Sequence, residues 1–330
     1  MPNIFVSAFP FGDPDPEPLN LLRATGWKFR LNPLSRVLTD DEVMRYALDC
    51  DGIIAGTEDL KQLIKNSERL KVISRVGIGL DCVPLHECRR KGITVTYTPD
   101  AVTSAVAEMT VGLMISLARN IVIVDRETRR NAWLRPFGRR LGKSIIGIVG
   151  FGRIGTSVAK LLLPFQPIMV LVNDLKDKQP QIGELRDLGL NISHAQKEEI
   201  FTASDIVSLH VPLWAKTRNM VDARTLMMFK KDAYLMNLSR GGIVNETDLY
   251  HALKENRLAG AAIDCFETEP YSGFLTEMEN VILTQHMGSC SFDCHARMEI
   301  EATKDLISFF SGNSLQNEVP KDEFGYQSSG

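Results

Sequence analysis

The stretch Ser144-Ile145-Ile146-Gly147-Ile148-Val149-Gly150-Phe151-Gly152-Arg153-Ile154-Gly155 decides how the rest of the chain is read. Its first six residues form an apolar run of strand length, and Ile154 to Leu163 carries helical spacing. Between strand and helix lie three glycines in the pattern G-x-G-x-x-G. There the first glycine permits a tight turn, and the second lets the backbone approach a pyrophosphate. The third lets helix and strand pack closely. The amides at the start of the helix then face an anion. Gly150, Gly152, Arg153, Ile154 and Gly155 are therefore candidates for holding a dinucleotide.

Working downstream, further strands are expected at Met169–Val172, Ile206–Val211, Ala233–Leu238, Gly260–Asp264 and Val281–Thr284. With Ser144–Val149 these make six strands, enough for a doubly wound sheet. An acid about 20 residues past the glycines should accept from the adenosine ribose. The second strand runs into Asn173-Asp174, with Lys176 and Lys178 just beyond. Asp174 favours NAD, while the two lysines leave NADP open.

Upstream, strand-like runs at Asn3–Ala8, Gly52–Ala55, Lys71–Val76 and Ile93–Tyr97 alternate with helical stretches at Asp40–Leu48, Leu60–Asn66 and Val83–Lys91. About 140 residues of α/β chain thus precede the glycine turn, deeper than in a nucleotide-first arrangement. A long helical segment, Ser104 to Asn131, leads into the second series. The last apolar helix, Cys294 to Phe310, has no strand of its own and is expected to return to the first lobe. The expected fold is α/β: two doubly wound parallel-sheet lobes, with a Rossmann NAD-binding domain inserted into a flavodoxin-like substrate domain. Its parts are residues 1–100, 101–286 and 287–330, with the ligand cleft between the lobes and Val319 to Gly330 a polar, frayed tail.

At 330 residues the chain suits two lobes, and its 44% hydrophobic, 24% charged composition with a net charge of -3 gives no pull toward nucleic acid or anionic membrane. A small-molecule partner is expected. Met1 to Phe9 reads as a strand rather than a signal peptide. The apolar stretch Val111 to Val124 is interrupted by Arg119 and Asn120, short of the ~20 residues a span needs. Six cysteines form no disulfide framework, which suits a reducing cytoplasm. Cys290-x3-Cys294, with His286 and His295 nearby, suggests a metal, but closed zinc sites show tighter repeated spacing, and no metal is expected.

Eight ordered motifs resemble the D-isomer-specific 2-hydroxyacid dehydrogenases, over about Leu70 to Phe310. They are Ser74-Arg75-Val76-Gly77-Ile78-Gly79-Leu80-Asp81, Thr98-Pro99-Asp100-Ala101, Ala105-Val106-Ala107-Glu108, the glycine turn, Ser208-Leu209-His210-Val211-Pro212-Leu213, Asn237-Leu238-Ser239-Arg240-Gly241-Gly242, Ala262 to Pro270, and Leu283 to Ser289. The resemblance implies a catalytic trio of Arg240, Glu269 and His286. A histidine suits proton transfer near neutrality. Glu269 would orient it, and Arg240 would pair with a substrate carboxylate. Singly, a histidine at a strand exit more often packs or caps; three such residues on successive strand exits favour chemistry.

The resemblance also implies that Arg75, Val76 and Gly77 bind substrate, the latter two through their amides. Thr103, His210, Pro212, Ser239, Asp264 and Gly288 join the glycine turn and Asn173-Asp174 around the cofactor, with Asp264 on the nicotinamide amide. A homodimer through the helix from Ser104 is implied as well. Departures narrow the expectation. Gln285 stands where the family commonly has proline, Glu269 argues against formate dehydrogenase, and no phosphate-binding arginine lies near Ala55-Gly56-Thr57. The expected activity is hydride transfer between NAD(H) and a small D-2-hydroxy or 2-oxo acid, phosphoglycerate dehydrogenase-like in type. A rival expectation is an NAD(H)-sensing regulatory or corepressor protein on the same fold. Selectivity is expected from Pro10–Asp15 and Ala55–Glu58.

Overall fold

The computed structural model describes residues 1–327 and divides into two compact units: Met1–Val102 with the segment from Ser289 onward, and Thr103–Gly288. In the first unit, strands β1 (Asn3–Val6), β2 (Lys28–Leu31), β3 (Gly52–Ala55), β4 (Val72–Arg75) and β5 (Thr94–Thr96) form one parallel sheet ordered β2-β1-β3-β4-β5. That is the flavodoxin-like order. Strand β2 was not expected from sequence. Its Lys-Phe-Arg-Leu run sits at the sheet edge with its side chains largely outward, so no apolar run marks it.

The long helix Phe292–Ser311 completes this unit. It packs on β3, β4 and β5 and on the helix Glu17–Ala24, and the Ser74 hydroxyl donates to Ala302 O at 2.6 Å. The expected frayed tail is corrected by the structure. Val319 lies in the first unit's core, a short helix spans Lys321–Phe324, and the Gln327 amide donates to Leu80 O and Val83 O while accepting from Leu85 N. Tertiary partners, not local periodicity, order this segment. The final three residues of the expected tail, 328–330, lie outside the described residues.

In the second unit, β6 (Ile145–Val149), β7 (Met169–Asn173), β8 (Ile192–His194), β9 (Ile206–Leu209), β10 (Tyr234–Asn237), β11 (Gly260–Ile263) and β12 (Val281–Leu283) form a parallel sheet. Its order is β12-β11-β10-β9-β6-β7-β8, so the chain reverses direction across the sheet at β6. The glycine turn leaves the carboxyl end of that strand, at the switch point where such sheets bind ligands. Sequence reading gave six strands here; the seventh, β8, is only Ile-Ser-His and carries no apolar run.

The helical segment from Ser104 is two helices, Thr103–Ala118 and Ile121–Arg129, bent by 62° where Asn120 takes a φ of 55°. The first packs on the helix Arg153–Leu161 and on β10 and β11. Among the described residues no single helix is long and apolar enough to cross a membrane.

Candidate active site

The glycine turn meets the geometric demands of its pattern. Gly150 has a φ of +96°, and a Cβ there would strike His210 O. A Cβ on Gly155 would collide with Gly150 O, so the helix Arg153–Leu161 packs against the turn only because both are glycine. Gly152 caps that helix and faces open space, which leaves its first amides accessible to an anion. Phe151, between the glycines, is fully buried and anchors the turn. Arg153 is exposed and Ile154 half-buried at the head of the helix.

On the neighbouring strand, Asp174 Oδ2 accepts from Phe151 N at 2.9 Å and Oδ1 from Lys176 N at 2.9 Å. The acid expected near the ribose is thus tied directly to the turn. Asn173 instead donates to Ala195 O at 2.8 Å. His210 follows β9, with Nε2 2.9 Å from Ser208 Oγ and Nδ1 buried with no partner. Burial pushes its pKa down to about 4, so the ring is neutral near pH 7. An orphaned ring nitrogen, an open helix start and a carboxylate at the next strand end fit a dinucleotide.

Three further strand ends bring the catalytic candidates to the same sheet edge. Arg240 follows β10 on a turn closed by Asn237, whose amide donates to Arg240 O at 2.8 Å and whose Oδ1 accepts from Ser239 N and Oγ. A Cβ on Gly241 would strike Phe266 O, so this glycine lets the Arg240 turn lie against the loop that carries Glu269. Gly242, with a φ of +76°, completes the reversal. Arg240 Nη1 donates to Ser239 O at 2.7 Å. Pro212, exposed after β9, accepts at its carbonyl from Thr217 Oγ1, and Thr103 heads the helix Thr103–Ala118.

His286 Nδ1 lies 3.0 Å from Glu269 Oε2 and 3.1 Å from Oε1. Glu269 Oε1 also accepts from Phe266 N at 2.9 Å. Burial resists ionisation of Glu269. Even so, the His286 hydrogen bond, the Phe266 amide and the charges of His286 and Arg240 hold its carboxyl below the ordinary value. The His286 side chain is 41% exposed, and its Nε2 makes no hydrogen bond among the described residues. His286 adopts a φ of 51°, a left-handed conformation that non-glycine residues rarely take.

Asp264 holds that conformation in place. Its carbonyl accepts from His286 N at 2.7 Å, and its buried carboxylate accepts from Thr284 Oγ1, Met287 N and Gly288 N. Sequence reasoning did not find this clamp, because it depends on the pairing of β11 with β12. With Gln285 in place of the family's usual proline, these four bonds define the backbone setting of His286.

In the first unit, Gly77 has a φ of 132° and begins the loop after β4. Neither amide expected to hold an anion is open: Val76 N donates to Ala55 O at 2.8 Å and Gly77 N to Thr98 Oγ1 at 2.8 Å. The next two amides, Ile78 and Gly79, make no hydrogen bond among the described residues, and only the loop geometry reveals them. Arg75 is 7% exposed and folds back onto Val76 O, with its Nε buried and unpartnered. Cys290 and Cys294 form no ligand set with His295, and burial pushes the Cys294 thiol up to about 11.

Comparison with known proteins places the chain in a family. Residues 111–288 match the D-isomer specific 2-hydroxyacid dehydrogenase NAD binding domain. The chain is 35% identical over 282 residues to a glyoxylate reductase of Thermofilum pendens, covering 82% of each. It is 32% identical over 298 residues to a D-3-phosphoglycerate dehydrogenase of Methanocaldococcus jannaschii, covering 87% of this chain and 56% of that protein. The TT0316 protein of Thermus thermophilus superposes with a TM-score of 0.85 at 29% identity, covering 96% of this chain and all of that one. The chain therefore belongs to the D-isomer-specific 2-hydroxyacid dehydrogenase family, and its second unit carries the NAD-binding domain.

Proposed function

We propose that this chain transfers a hydride between NAD(H) and C2 of a small D-2-hydroxy acid, working toward reduction of the 2-oxo acid. The observation that carries the reading is the His286–Glu269 pair: Nδ1 is held by a carboxylate while Nε2 stays unengaged, with the charge of Arg240 acting on the same carboxylate. Glu269 keeps a proton on Nδ1 and favours the charged ring, in which Nε2 carries a proton as well. His286 Nε2 then gives its proton to the C2 oxygen in reduction, or takes it back in oxidation. Arg240 forks onto the substrate carboxylate and draws charge from the adjacent oxygen. Asp264 keeps the His286 loop in its left-handed conformation. The bound nicotinamide supplies or accepts the hydride.

Asp174 supports NAD over NADP, because a carboxylate repels a 2′-phosphate. In the first unit, the open amides of Ile78 and Gly79 offer an anion site, and Arg75 braces their loop from beneath. The names of the relatives make glyoxylate and hydroxypyruvate the first substrates to test, and the lack of an arginine at Ala55-Gly56-Thr57 disfavours a phosphorylated one.

The test is a panel of glyoxylate, hydroxypyruvate, pyruvate and 3-phosphohydroxypyruvate with NADH and with NADPH. Reduction of an unphosphorylated acid, faster with NADH, is expected. His286→Ala should lower kcat by roughly 10²–10⁴-fold while NADH binding survives. Failure to reduce any 2-oxo acid, or an equal loss of NADH binding in the variant, would overturn the reading. Two copies are further proposed to pair around the segment after Ile121–Arg129, where Trp133 and Phe137 are 85% and 104% exposed. Light scattering of the parent against the Trp133→Ser, Phe137→Ser double variant checks this, with a shift toward monomer expected.

A further inference from the structure

One residue beside the catalytic pair has no part in hydride transfer. Cys265 lies two residues past Ile263 of β11, and His286 three past Leu283 of β12; these strands pair in parallel with Ile263 opposite Leu283. Register alone therefore sets the thiol next to the histidine. The Cys265 Sγ, a Glu269 carboxylate oxygen and a ring nitrogen of His286 all lie within 4.8 Å of one another.

We propose that these three atoms form a binding site for a thiophilic divalent cation, Zn²⁺ being the type case, and that its occupation switches the enzyme off. A thiolate, an imidazole and a carboxylate together make a borderline-soft donor set, suited to Zn²⁺ and poorly suited to Mg²⁺ or Ca²⁺. Tetrahedral zinc bonds place such donors roughly 3.3–3.6 Å apart. The Nδ1–Oε2 separation of 3.0 Å needs to open only slightly, and the sulfur to approach by at most about an ångström. His286 and Glu269 face solvent, so the ion has a path in, and water fills the fourth position. Carboxylate and thiolate bring two negative charges, which outweigh the single charge of Arg240 nearby.

Binding involves no redox change and releases protons to solvent: the Cys265 thiol gives up its proton as the metal–sulfur bond forms, and His286 gives up the proton on Nδ1 while keeping one on Nε2. The metal takes His286 Nδ1 from Glu269 and holds the ring neutral. A metal-bound imidazole does not deliver its remaining proton from Nε2, so turnover stops. This inhibition rests on the catalytic reading above; the binding itself does not.

The chelator-stripped full chain, titrated with Co²⁺ without nucleotide, should develop a near-ultraviolet thiolate-to-cobalt band at a single saturable site, and Zn²⁺ should abolish it. Cys265→Ala should lose the band, and Cys290→Ser, which removes the exposed thiol, should keep it. If Cys265→Ala does not fold, Cys265→Val keeps the buried volume and serves instead. In the reductase assay, the Cys265 variant should retain its basal rate and raise the half-inhibitory Zn²⁺ concentration roughly tenfold or more. A band that persists without Cys265, or one that vanishes with Cys290, overturns the proposal. If no 2-oxo acid is reduced, the catalytic reading fails while the cobalt band still decides the site. Normal turnover with no band sinks the metal site alone.

Discussion

Two histidine–glutamate pairs, one in each unit, use the same side chains at nearly the same distance and serve different ends. His286 and Glu269 meet at 3.0 Å with side chains 41% and 38% exposed; His295 and Glu299 meet at 2.8 Å with side chains 22% and 0% exposed. Glu299 spends its second oxygen on Gly12 N at 2.7 Å, which ties the loop after β1 to the helix Phe292–Ser311. That pair is closed: its carboxylate has a partner on each oxygen, no solvent, and an ordinary helical backbone around it. The first pair is open to solvent and strained at His286. Chemical identity does not separate the dyad proposed for catalysis from a structural clamp. Exposure and backbone conformation do.

The largest expected difference between the pairs is in stability. His295→Ala leaves the Glu299 carboxylate buried with one amide for company, and should cost about 3–5 kcal/mol in denaturant unfolding. A loss under about 1 kcal/mol would show that the buried pair does not clamp the fold, and the contrast would break. The converse change, Glu269→Gln, should leave unfolding nearly unchanged and lower kcat roughly 10²-fold, because the amide no longer favours a charged His286. It should also alter the acid side of the rate profile. The Glu269 carboxyl is held below its ordinary value, so its contribution is present above the unfolded pKa and is lost as pH falls through the folded one.

The smallest effect comes from a histidine with no carboxylate at all. His210 has its pKa pushed from 6.5 to about 4 by burial, so the unfolded chain binds the extra proton between those values. Stability should therefore fall as pH drops through that window, by on the order of 1–2 kcal/mol at pH 5. His210→Asn should flatten that slope. An unchanged slope would assign it to other groups.

The same contrast explains how much of the molecule could be read in its sequence. His295 and Glu299 stand four apart on one helix face, a spacing visible in the chain, yet nothing local says that the carboxylate is buried. Glu269 and His286 are seventeen residues apart and meet only through the β11–β12 register, so the resemblance named them before geometry could. Strands with apolar runs, such as Ile145–Val149 and Gly52–Ala55, were legible. The edge strands Lys28–Leu31 and Ile192–His194 were not, because exposure removes the alternation that marks a strand. The tail after Val319 lacks periodicity and is ordered by partners more than 200 residues away. The carboxylate anchor in the first unit was placed at Val76 and Gly77, whose amides their own sheet and Thr98 consume. Hydrogen-bond supply is a property of neighbours, and one chain segment cannot disclose it.

The insertion also sets an order of events during synthesis. Ser74 reaches Ala302 across 228 residues, and Gly12 reaches Glu299 across 287. Neither bond can form until the helix Phe292–Ser311 has left the ribosome. The inserted unit needs no residue beyond Gly288 to complete its sheet. The part of the protein that emerges first is thus finished last, and the nucleotide unit can stand complete while its elder neighbour still waits for a helix to cover its sheet.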